Sequence, residues 1–286
     1  MKTLFFMTTY ITSLLMINDI SNNNINSQKF TSTPNLQINR HEDTTSNPYT
    51  LKGYKLVWAD EFNKDGSPDS SKWIYDIGMG DWGWGNNESQ YYTNSKKNIA
   101  IEDGKLKIKA IKEAYEGGTF TSSRIKTQGK FDFKYGIIEV RAKVPEGLGT
   151  WPAAWMLGTD ITTVGWPKCG EIDILEHIGR ELNAVYGTLH YPDHAGANAD
   201  GNKLLIQNAT TEFHVFKVEW NENTIGMYVD DKLIHEVKNT PQIPFNHNFF
   251  IILNLAMGGN FGGPIDESIQ EATYEVDYVR VYQLTK

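Results

Sequence analysis

The sequence predicts an all-β protein, built as a sandwich or a barrel. Three observations carry that reading. Short stretches alternate apolar and polar residues, turn-forming residues separate them, and no amphipathic helix of about 12 residues or more appears.

The stretches follow in order. "DGKLKIKA" sets Leu106, Ile108 and Ala110 on one face and Lys105, Lys107 and Lys109 on the other, after a tight turn at Asp103-Gly104. "GIIEVRAKVP" groups Ile138, Val140, Ala142 and Val144 against Glu139, Arg141 and Lys143. "HVFKVEW" gathers Phe216, Val218 and Trp220. "IGMYVDDKLIHEV" reads as two strands around a turn at Asp230-Asp231. "NFFIILNLAM" is nearly all apolar, as expected of a strand covered on both faces. "YEVDYVRVYQ" is a last strand.

The chain has 286 residues and a net charge of -8, with no basic run. Nucleic acid is excluded as a partner, because phosphate binding needs a basic surface. Cys169 is the only cysteine, so no disulfide forms within the chain, and no Cys/His cluster has zinc spacing. The eight Trp, 14 Tyr and 13 Phe fit either a β-rich core or a site for a flat ligand such as a carbohydrate.

Residues 1–20 read as a signal peptide or N-terminal hydrophobic segment: Lys2 precedes an apolar stretch from Leu4 to Ile17, too short for a membrane-spanning helix. Residues 21–50, rich in Asn, Ser and Thr, read as a disordered linker. Residues 51–286 form one domain. The expectation is a monomer that is secreted, periplasmic or at the cell surface.

"GEIDILEHIG", Gly170 to Gly179, carries three acids. A regular strand sets Glu171 and Asp173 on one face and Glu176 on the other. Such acids can decorate a solvated strand, but the flanks here are apolar and aromatic, where crowded and desolvated carboxyls hold their protons. A β-bulge near Ile174-Leu175 returns Glu176 to the face of the other two. The outer glutamates then lie roughly 13 Å apart at Cα. Inward-leaning side chains bring their carboxyls to about 5–5.5 Å, the spacing of retaining glycoside hydrolysis.

"EIDILE" resembles the bulged E-x-D-x-x-E motif of glycoside hydrolase family 16, in its laminarinase-like form; lichenases resemble the shorter E-x-D-x-E. The similarity runs from about Leu51 onward through "LVWADEFN", "WGNNESQYYT", "YGIIEVRAKVPEGLGTWPAAWMLG", "GWPKCGEIDILEHIG", "YGTLHY", "FHVFKVEW" and "FIILNLAMGGNFGG". The resemblance implies a concanavalin A-like β-jelly-roll sandwich of two curved antiparallel sheets, with a glycan cleft on the concave face. It also implies roles: Glu171 as nucleophile, Glu176 as acid/base, and Asp173 as the acid between them.

The resemblance places further residues in that cleft. Trp151, Trp155 and Trp166 are similar to its sugar-stacking tryptophans, and Trp82 and Trp84 to its rim. Asn86 and Glu88 match sugar-fixing positions, although Asn also favours turns. Arg124 matches a cleft arginine, with a salt bridge as the plain alternative. His190 matches a histidine beside the acid/base. Asn254, in the buried strand, serves the cleft or the core, while His177, Trp58, Trp73 and Trp220 are structural. A structural Ca2+ is implied at Glu61, Gly104 and Asp277, and no cofactor is implied for catalysis.

The expected activity is therefore retaining endo-hydrolysis of β-1,3-glucosidic bonds in laminarin-type glucans. The alternatives are another β-glycan (mixed-linkage glucan, agarose, carrageenan), transglycosylation, or a non-catalytic glucan-binding module.

Overall fold

The alternating segments become strands in two facing sheets. The computed structural model describes residue 51 and residues 53–285. The expected hydrophobic segment at 1–20 and linker at 21–50 lie outside the described residues. One sheet has seven strands, ordered Asp200–Leu205, Ala184–His190, Glu171–Glu176, Thr150–Gly158, Phe249–Met257, Arg124–Lys126 and Ile74–Asp76. All of its pairings are antiparallel.

The second sheet has ten strands. Its main path runs Lys232–Lys238, Thr224–Val229, His214–Trp220, Gly136–Lys143, Glu271–Leu284, Lys105–Tyr115, Gly118–Ser122 and Gln90–Tyr92. Tyr54–Asp60 pairs with Glu271–Leu284, and Ile99–Glu102 with Lys105–Tyr115. One pairing in this antiparallel sheet is parallel, Gln90–Tyr92 beside Gly118–Ser122. The helices among the described residues are single turns, such as Ile161–Val164, and none is long and apolar enough to cross a membrane.

Alternation sets the core. Leu106, Ile108, Ala110, Ile138, Val140, Ala142, Val144, Phe216, Val218 and Trp220 are buried as their period requires, in one cluster with Ile172, Leu189, Ile251 and Leu253 from the facing sheet. Removing this apolar area from water is the main force holding the two layers together. The turns obey their chemistry too. Asp103 and Gly104 (φ 54° and 69°) and Asp230 and Asp231 (φ 47° and 61°) adopt left-handed conformations, as two-residue hairpins demand.

The Phe249–Met257 strand is buried along its whole length. Phe249, Ile251, Leu253 and Leu255 enter the core between the sheets. Phe250 and Ile252 are covered on the other face by Leu157, Cys169 and Trp155, and there the strand then offers Asn254. Trp58 meets Trp73 edge-on at 5.6 Å and stacks on Phe131 at 5.0 Å, while Trp220 packs against Phe249 at 5.2 Å. All three are structural, as expected.

Candidate active site

The acidic strand is bulged where its phase requires it. Against Thr150–Gly158, Asp173 pairs with Trp155 and Leu175 with Ala154, so Ile174 is the extra residue. Against Ala184–His190, Asp173 pairs with Thr188 and Glu176 with Tyr186, two residues spanning what the partner crosses with Gly187 alone. Ile174 and Leu175 both go into the core, and Glu176 returns to the face of Glu171 and Asp173.

Glu171 and Glu176 each receive their own donors. Trp166 Nε1 donates to Glu171 Oε2 at 2.7 Å. Trp151 Nε1 donates to Glu176 Oε1 at 3.0 Å, and Thr188 Oγ1 to Glu176 Oε2 at 3.4 Å. His190 Nε2 lies 3.2 Å from Asp173 Oδ2 and 4.0 Å from Glu171 Oε1. The amide of Gly196 donates to His190 Nδ1 at 3.1 Å. That bond occupies Nδ1, so a neutral ring carries its proton on Nε2, the nitrogen nearest Asp173 and Glu171.

Burial pushes all three carboxyls toward the protonated form. Glu171 is raised to about 8 by burial and then by the neighbouring Asp173 charge, against the pull of His190 and Trp166. Asp173 is raised well above the ordinary range by burial and by Glu176. Glu176 is raised by burial, offset by His190, Trp151 and Thr188. Asp173 is 3 % exposed and hydrogen-bonded to Glu171, so the two carboxyls share a proton across that bond. Attack uses the arrangement with that proton on Asp173 and Glu171 as the anion, facing the Trp166 N–H. Glu176 is left as the acid. Paired carboxyls held in opposite states are what nucleophile and proton donor require.

The expected substrate residues fall into two groups. Trp151, Trp166 and His190 stand around the acids, as given above. Trp155, on the same face as Trp151, belongs to the second group: its Nε1 donates to Asn254 Oδ1 at 2.8 Å. The Arg124 guanidinium lies 4.6 Å from the Trp84 ring centroid and 4.8 Å from that of Trp155, and it pairs with Asp76 at 2.9 Å. The salt bridge named as the plain alternative for Arg124 is present, beside its contacts with the two indoles. Trp82 is 85 % exposed, as a rim residue would be.

Glu88 is buried, and its oxygens accept from Gln90 (2.6 Å), Tyr92 (3.3 Å) and Asn86 (3.5 Å), so its carboxylate is taken up behind the site. Asn254 spends its amide on Trp155 and Tyr92. Both side chains bond to protein groups, and for Asn254 this is the core role read as one of its two alternatives.

Residues 85–280 match the family described as "Glycosyl hydrolases family 16". The chain belongs to that family. It is 42% identical over 247 residues to a beta-glucanase of Rhodothermus marinus, covering 80% of this chain and 85% of that one. It is 37% identical over 301 residues to glucan endo-1,3-beta-glucosidase A1 of Niallia circulans, covering 93% of this chain but only 44% of that longer protein. The laminarinase catalytic domain of Thermotoga maritima MSB8 superposes with a TM-score of 0.76 at 41% identity, covering 82% of this chain and 99% of that domain. The fold is therefore the family 16 jelly roll.

Sequence reasoning missed several residues of this family 16 site. Thr188 was legible, since it lies two residues before His190 and so shares its face of the strand. Phe261 was not. It meets Trp151 at 5.5 Å and Tyr186 at 5.1 Å from a glycine-rich turn with no alternation to read.

Calcium at Glu61, Gly104 and Asp277 would have to rely on main-chain carbonyls, because both side-chain carboxylates there are paired. Both oxygens of Glu61 accept from Arg280, at 2.8 and 2.7 Å, and Asp277 accepts from Arg141 at 2.6 Å. A hard cation needs several free oxygens, and these carboxylates already face guanidinium groups. Among the described residues, ligand atoms of Glu171, Asp173 and His190 alone gather as a metal set would. There the Gly196 amide keeps the proton on Nε2, the atom a metal would need bare.

The donors predict a split pH response. A hydrogen bond to a carboxylate lowers its pKa, so removing the donor raises it. Trp166→Phe is expected to raise Glu171 and move the acidic limb of the kcat/KM profile up by about half to one pH unit. Trp151→Phe is expected to raise Glu176 and move the alkaline limb up by a similar amount. Profiles from pH 4 to 10 check both, and a shift of the opposite limb in either variant reverses the assignment.

Proposed function

We propose that the protein is a retaining endo-hydrolase of β-1,3-glucosidic bonds in laminarin-type glucans. One observation carries the reading: the bulge at Ile174 sets Glu171 and Glu176 on one face with Asp173 between them. Glu171 attacks the anomeric carbon while Glu176 protonates the leaving oxygen. Asp173 gives up its hydrogen bond to Glu171 as the covalent bond forms. Water then enters, Glu176 takes its proton, and the sugar leaves Glu171 with its configuration kept.

The names of the relatives support the linkage, since both curated relatives and the solved domain are described as β-glucanases, endo-1,3-glucosidases or laminarinases. The presence of both glutamates speaks against a non-catalytic module. The apolar start of the chain supports export from the cytoplasm.

The test is reducing-sugar release from laminarin, mixed-linkage glucan, agarose and carrageenan, with product sizing and NMR of the first anomer formed. The expected result is laminarin cleaved fastest, a ladder of oligosaccharides early in the reaction, and β-anomers first. A preference for a galactan, or α-anomers first, overturns the reading.

A further inference from the structure

We propose that Glu88 is a positioning residue for this reaction: through Tyr92 and Asn254 it fixes the plane of the Trp155 indole beside the catalytic acids. The proposal rests on the glucan-hydrolase reading above.

The hydrogen bonds have one possible direction. An indole N–H only donates, so Asn254 turns its Oδ1 to Trp155, at 2.8 Å, and its Nδ2 away. Nδ2 donates to the Tyr92 hydroxyl at 3.0 Å. Tyr92, having accepted there, donates its own proton to Glu88 Oε2 at 3.3 Å. The chain ends on an atom that must accept, and an ionised carboxylate accepts without competition. Gln90 Nε2 donates to the same oxygen at 2.6 Å, and Asn86 to the other.

The carboxylate is itself held still. Gln90 turns its Oε1 to the amide of Met257 at 2.8 Å, tying it to the strand that carries Asn254. Gly259 (φ 77°) lets the next turn close over Asn86 and Glu88; a Cβ there would lie 2.8 Å from the Asn86 carbonyl oxygen. Burial raises the Glu88 pKa, and the bonds from Gln90, Asn86 and Tyr92 and the charge of Arg124 oppose that rise.

At the other end, Trp155 pairs in register with Asp173, next to the reacting groups. Arg124 covers part of its ring, and the chain from Glu88 holds its N–H. A sugar packing on this indole needs the ring in one orientation. A buried carboxylate bonded to protein donors thereby acts on substrate affinity.

The test uses the whole protein. Tyr92→Phe keeps the buried ring and removes only the link. Its expected effect is a rise in KM for laminarin of about 5- to 20-fold with kcat within about 3-fold, the pattern of lost uniform binding. In a Trp155→Phe background, which has no indole N–H to orient, the same change should raise KM less than about 2-fold further. Glu88→Gln keeps an acceptor and should fall between wild type and Tyr92→Phe, and it stands in should Tyr92→Phe fail to fold. Unchanged KM in both variants overturns the proposal, as does a full, additive effect in the Trp155→Phe background. If the wild-type protein does not cleave laminarin, the fault lies in the functional reading. If it does and the variants match it, the fault lies here.

Discussion

Glu171→Ser is expected to leave glucan binding intact and to lower kcat on laminarin by about 10^4-fold or more. The serine hydroxyl has neither the charge nor the reach to form the glycosyl intermediate, and the remaining acid has no partner across the sugar. Calorimetric titration with laminari-oligosaccharides should still show binding, because the tryptophans are untouched. Residual activity within tenfold of wild type would remove Glu171 from the mechanism.

The same variant reports on stability. Glu171 is raised to about 8 in the folded protein, while in the unfolded chain it ionises near 4.5. Between those values the unfolded chain binds fewer protons, so this group costs the folded state stability as pH rises through that window. The variant lacks that cost. Its Tm relative to wild type should therefore climb from pH 4.5 to pH 8, and a flat difference would mean that the Glu171–Asp173 pair holds no extra proton through that window.

Glu176→Gln is expected to lower kcat on laminarin by about 10²- to 10⁴-fold, the usual worth of a general acid. The carboxamide oxygen still accepts from Trp151, and its NH2 can donate to the Thr188 hydroxyl, so the local structure is preserved. The loss should depend on the leaving group. A dinitrophenyl laminaribioside departs without protonation, so its glycosylation step should be nearly unaffected and the intermediate should accumulate as a burst. Azide, which needs no base, should then restore turnover and give the β-glycosyl azide. Equal losses on laminarin and on the activated glycoside would take the acid/base role away from Glu176.

How much of this was legible depended on how local the signal was. The bulge could be read because two acids in phase and a third out of phase conflict with a period of two. The turns at Asp103-Gly104 and Asp230-Asp231 were readable because their residues tolerate left-handed backbone. Glu88 was not readable in its true setting. Its own partners, Asn86, Gln90 and Tyr92, are close in sequence, but the link from Tyr92 on to Asn254 forms only when this segment closes on the Phe249–Met257 strand, and no spacing rule connects those two. Tyr92 looked like one more strand aromatic. The paired state of Glu61 was equally hidden, since Arg280 stands 219 residues away in sequence.

The extra residue at Ile174 gives this strand a tolerance that its neighbours lack. Shortening a regular strand by one residue turns every later side chain to the wrong side. Loss of Ile174 here leaves E-I-D-L-E, in which simple alternation already sets all three acids together, as in the shorter lichenase-like motif. The long and short forms of the motif are thus one codon apart, with no intermediate in which an acid must point into the core.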